Sequence, residues 1–102
     1  QRQMCIRDSP YTYQFFEILY EKDGNYVLNH IAYPDDYLLK VKGNDKAIYL
    51  GEKGIFRTKK PEKIQRLLTK YLNCPSMDAT KYNTFTKEGL IEVIQDYQKN
   101  CQ

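Results

Sequence analysis

The hydrophobic pattern of this chain changes period part-way along, from two before about residue 57 to between three and four after it. A period of two marks strands with one face turned to a core, and a period near 3.6 marks amphipathic helices. Strands first and helices second predict an α+β domain. We expect a small antiparallel sheet of about four to five strands, hairpin-rich, followed by two C-terminal amphipathic helices packing on one face. The 102 residues are enough for one domain, and a chain of this size buries only about 60–65% of the surface it exposes when unfolded. With 41% apolar residues it is too apolar for a disordered chain. No apolar run approaches the roughly 18–20 residues that cross a bilayer, which excludes a membrane span.

The first hairpin is the best-marked element. Residues 11–22 (YTYQFFEILYEK) are rich in aromatic and β-branched side chains, which favour strands. Their alternation slips by one, which predicts a bulge near Phe15-Phe16. Asp23-Gly24 then supplies the positive φ angles of a type I′ turn, whose twist suits the strands on either side. Tyr26, Leu28 and His30 alternate with Val27, Asn29 and Ile31 on the returning strand. Tyr11, Tyr13, Tyr20 and Tyr26 cluster on this hairpin as a candidate aromatic surface. Residues 37–42 fit either a short helix behind Pro34 or a strand alternating Tyr37, Leu39 and Val41, with the strand preferred. Residues 47–50 and 55–57, flanking Gly51-Glu52-Lys53-Gly54, read as a second hairpin. Ile64, Leu67, Leu68, Tyr71 and Leu72 form a helical stripe from Thr58 or shortly after, with Pro61 in the first turn. Thr86 is the expected N-cap of the last helix. Its stripe is Leu90, Ile91, Val93, Ile94 and Tyr97, with Cys101 on the same face and Gly89 as a weak point.

Residues 1–9 (QRQMCIRDS) resemble the translated read-through of a sequencing adaptor and share no periodicity with the rest of the chain. We expect them to be a non-native tail in front of a single domain over residues 10–102, truncated at its N-terminus. No compartment is fixed by such a chain, and a cytoplasmic one is the default. Setting the tail aside leaves Cys74 and Cys101, too few for a disulfide-dense scaffold and not part of a CxxC pair. Two readings of them stay open. They are reduced, buried thiols, or they form a disulfide whose closed loop stabilises the fold by roughly 3 kcal/mol.

Charge is unevenly spread. The net charge is +3, but residues 40–70 carry ten Lys and Arg against three acids, a balance of +7. Residues 10–39 carry one base against five acids, a balance of −4. Lys59, Lys63, Arg66 and Lys70 recur at helical spacing, away from the apolar stripe. Together with Lys53 and Arg57 they are the candidate partner-binding residues, suited to nucleic acid or an acidic protein. The competing reading is an ordinary solvated helix face. The stretch IYLGEKGIFRTKKPEKIQRLL resembles, in outline, the end of integrase-arm DNA-binding domains, through Gly54, Phe56 and Thr58. The resemblance implies a three-stranded sheet docking on the major groove. The chain departs from that pattern, because residues 11–31 hold one base and no Trp.

Chemistry is hard to place on this sequence. His30, the only histidine, lies mid-strand with no cysteine or acid beside it to make a metal site or a dyad. Ser76 belongs to no nucleophile elbow, and Asp35-Asp36 reads as a turn. We therefore expect no catalytic residues, no cofactor and no metal. The expected function is a small non-enzymatic binding module that uses the basic surface of residues 40–70. The alternative is an exported or periplasmic structural domain stapled by Cys74–Cys101.

Overall fold

The computed structural model describes residues 3–9, 12–50 and 60–102. Five strands form one antiparallel meander in sequence order: β1 (Gln3–Ser9), β2 (Thr12–Lys22), β3 (Asn25–His30), β4 (Tyr37–Lys40) and β5 (Ile48–Tyr49). Two helices come next, α1 (Pro61–Leu72) and α2 (Lys87–Cys101), joined through a single 3-10 turn at Ala79–Lys81. The α+β class, the antiparallel five-stranded sheet and the two C-terminal helices agree with the sequence reading. Gln3–Ser9, set apart there as a tail, pair with β2 as an edge strand. The second arm of the expected second hairpin lies outside the described residues.

Local chemistry accounts for most boundaries. Asp23 and Gly24 both have positive φ, 55° and 84°, as a type I′ turn requires. Residues 37–40 are strand rather than helix, paired with β3 from Tyr26–Lys40 to Asn29–Tyr37. Helix α1 begins at Pro61, three residues later than the earliest sequence-based start, because Lys60 is extended and forms the N-cap. Proline suits that first position, where a backbone N–H has no partner in the helix. The helix stops at Asn73, which takes the left-handed conformation (φ 49°) and donates its N–H to the Thr69 carbonyl. Thr86 caps α2 as expected, its hydroxyl accepting the Gly89 N–H at 3.1 Å.

The main core lies between one sheet face and the helices. Val27, Leu39 and Val41 meet Ile64, Leu68 and Leu72 of α1 and Leu90, Val93 and Ile94 of α2. Leu67, expected within the α1 stripe, sits at its rim and is 36% exposed. The opposite sheet face carries a second apolar cluster of Phe16, Leu28 and Leu38, flanked by Met4, Ile18 and Tyr49. A bulge lets β2 serve both clusters. The register slips between Ile18 and Tyr20, so Ile18 opposes Leu28 while Tyr20 opposes Val27. The slip falls at Leu19 and not near Phe15-Phe16, and Phe16 rather than Phe15 is the buried residue of that pair. The bulge also separates the tyrosines of the first hairpin. Tyr20 packs on the helix side and Tyr26 on the other, so these two form no common surface, and Tyr11 lies outside the described residues.

Candidate functional site

Helix α1 presents Lys63, Arg66 and Lys70 to solvent. Their spacing places them within about 60° of helix arc. Tyr71 fixes this helix against the connection between β4 and β5: its hydroxyl donates to the Lys46 carbonyl at 2.6 Å and accepts the Val41 N–H at 3.4 Å. The Lys46 backbone is thereby held by the penultimate residue of α1. Lys53, Arg57 and Lys59 lie outside the described residues, as do Gly54, Phe56 and Thr58, which carry the outline similarity to DNA-binding arms.

Among the described residues, Lys40 and Lys42 stand apart from the α1 strip. Lys40 pairs with Tyr26 across β3 and β4 and so shares the sheet face turned away from the helices. Its ammonium group bonds to the Asn44 carbonyl at 3.1 Å. Lys42 lies over Gly24 at the far turn. A groove of about 400 Å³ between α1 and the 3-10 turn is lined by Arg66 and Lys70, but Glu62 and Asp78 line it too. Asp78 accepts from the Thr80 N–H and hydroxyl at 3.0 and 2.6 Å, bonds that hold its carboxyl below the usual range. Two acids thus face two bases there, and among the described residues Lys63, Arg66 and Lys70 are the bases grouped on the outer strip of α1.

His30 is engaged in packing. Its ring meets Phe16 edge-on at 5.3 Å and Tyr33 at 5.1 Å, and Nδ1 accepts the Ala32 N–H at 3.0 Å. Among the described residues no group of three His, Cys, Asp or Glu side chains could hold a metal ion. Among them, too, no helix is long and apolar enough to cross a membrane. Asp36 is buried, with Tyr49 donating its hydroxyl to Oδ2 at 3.1 Å.

The best-defined chemical feature is a disulfide. Cys74, just past the end of α1, is bonded to Cys101, the last residue of α2, with Cα atoms 6.1 Å apart across 27 positions. Cys74 is buried and Cys101 exposed. Ser76 Oγ lies 3.5 Å from Cys74 Sγ and 4.0 Å from Cys101 Sγ. Ser76 carries no elbow motif in the sequence; its signal is proximity, two residues after a cysteine. Asn25 carries no motif either. It is fully buried and gathers four hydrogen bonds at the turn end of the sheet.

Among the described residues, three tyrosines resist ionisation in the fold. Tyr82 donates to Asp96 Oδ2 at 2.5 Å, and that bond, with burial second, pushes its hydroxyl up to about 12. Burial is the main cause that raises Tyr71 and Tyr37. An unfolded tyrosine ionises near pH 10, so between about pH 10 and 12 the unfolded state holds fewer protons and the fold loses stability as pH rises. Tyr82→Phe should flatten this alkaline decline, read from denaturation midpoints at pH 9 and pH 11. An equally steep decline in the variant would assign it to other groups.

Compared with known proteins, the chain matches no family model, no curated protein and no solved structure.

Proposed function

We propose that this chain is a small non-enzymatic domain of an oxidising compartment, with a structural or binding role, stapled by Cys74–Cys101. The observation that carries this reading is the disulfide itself. Reducing compartments keep such thiols apart, and a domain with a modest core gains most from a covalent closure. Its lone histidine, held between Phe16 and Tyr33, supports a role without acid–base chemistry. The test is mass measurement after alkylation of protein from its natural source. Without reductant, Cys74 and Cys101 should take up no alkyl group; after reduction they should take up two. Alkylation of both Cys74 and Cys101 without reductant would remove the reading, whatever Cys5, a free and exposed thiol, takes up.

A second reading rests on the outer strip of α1, where Lys63, Arg66 and Lys70 are exposed together. In this reading the strip meets nucleic acid or an acidic protein. Binding to a random-sequence DNA duplex should fall steeply with salt. Lys63→Glu with Arg66→Glu should weaken it at least tenfold at low salt. Binding indifferent to both salt and charge reversal would remove it.

A further inference from the structure

The C-terminal turn of α2 is tied on two sides. On one side is the bond from Cys101 to Cys74. On the other are side chains from the same turn that reach the β2–β3 hairpin. Gln98 Nε2 donates to the Lys22 carbonyl at 3.1 Å. Gln102 and Asn25 exchange two amide hydrogen bonds, at 2.9 and 3.0 Å. Asn25 completes its capacity by donating to the Lys22 carbonyl at 3.1 Å and accepting the Lys42 N–H at 2.9 Å. A carboxamide offers two donors and two acceptor sites, and here all four are used. This one buried residue therefore joins the end of β2, the start of β3, the segment after β4 and the end of α2.

We propose that Cys74–Cys101 is a redox latch whose opening frees the last turn of α2 and loosens the Asn25 cluster. It rests on the disulfide reading above only in requiring that the bond can form. A helix terminus frays unless something holds it, and Gln102 keeps its pairing only while that turn stays wound. The co-reactant is an external dithiol. Its thiolate attacks the exposed Cys101 sulfur, forming a mixed disulfide and expelling Cys74 as a thiolate, which the Ser76 hydroxyl can meet before solvent protonates it. The second thiolate of the reductant then attacks its own sulfur in the mixed disulfide and expels Cys101, which is protonated in turn. The dithiol ends as a disulfide, and the protein has gained two electrons and two protons. With the turn released, Asn25 loses two of its four bonds, and the Lys22–Asn25 turn and Lys42 lose their anchor.

The test is hydrogen–deuterium exchange of the reagent-oxidised and dithiol-reduced chain, read by peptide. Labelling times are kept short enough that peptides covering residues 26–28 and 90–94 stay unlabelled in the oxidised form. Reduction should speed labelling at residues 22–25 and 96–102 at least tenfold, while those core peptides still remain unlabelled. In the oxidised chain, Gln102→Leu should by itself speed labelling at residues 22–25 several-fold. Equal rates in both redox forms, simultaneous labelling of every peptide on reduction, or no effect of Gln102→Leu would each overturn the latch. Free thiols in protein from the natural source would remove the oxidising-compartment reading and leave this result standing.

Discussion

Replacing Gly89 with alanine should destabilise the fold by about 2–3 kcal/mol, although alanine is the better helix former. Gly89 lies in the first turn of α2, buried against the segment before it. A Cβ there would sit 1.8 Å from the Asn83 carbonyl oxygen and 2.7 Å from its carbon. Both are backbone atoms, and the Asn83 carbonyl also accepts the Thr86 hydroxyl at 3.4 Å. The intrinsic gain from Gly to Ala is about 1 kcal/mol; relieving an overlap of this depth means moving the chain that caps the helix. Urea denaturation of the variant gives the answer. A midpoint at or above that of the parent would show that the Asn83 segment shifts without cost.

Removing the disulfide should have the other large effect. Cys101→Ala opens the covalent loop and should cost about 3.5 kcal/mol on the chain-entropy model. Cys74→Ala should cost about 1 kcal/mol more, because Cys74 packs with Leu68, Leu72 and Val93 while Cys101 faces solvent. The same order should hold for thermal midpoints, measured under oxidising conditions beside the parent. In reductant the parent should fall to the level of Cys101→Ala. Equal stability of parent and Cys101→Ala without reductant would show that the link contributes nothing to the folded state.

Much of the fold is legible where one residue type answers one backbone need. Asp23-Gly24 marks the first hairpin because few other pairs accept two positive φ angles, and Thr86 marks the start of α2 because its oxygen meets an N–H that the helix leaves open. The bulge is less legible. Phe15, Phe16, Ile18, Leu19 and Tyr20 are all apolar, so several slips satisfy the local pattern, and only pairing with Val27 and Leu28 selects Leu19. The second apolar face has a local signal in Val27-Leu28 and Leu38-Leu39, adjacent pairs that place bulky side chains on both sides of a strand. Gly89 reads as a weakness in sequence because the Asn83 carbonyl that requires it is brought there by a turn of no fixed pattern.

The candidate site is legible only in part. Helical spacing identifies Lys63, Arg66 and Lys70 as one strip, and α1 presents them so. Strand alternation sends Lys40 of the wider basic run to the far face, an effect no charge count along the chain contains. The pairing of Cys74 with Cys101 is open in the sequence because their distance depends on how α1 and α2 pack, and their oxidation on a compartment the chain does not specify.

The bulge in β2 has a consequence for how sequences of this kind can drift. Upstream of Leu19 the even-numbered positions Phe16 and Ile18 serve the outer cluster, and downstream Tyr20 serves the inner one. Deleting Leu19 would remove the extra residue and leave Ile18 opposite Leu28 and Tyr20 opposite Val27 in a regular ladder, with both layers intact. A substitution such as Leu19→Val keeps the count and leaves the layers in place. The strand is therefore one residue longer here than its two layers require, and the loss of that residue is a length change the layers can absorb.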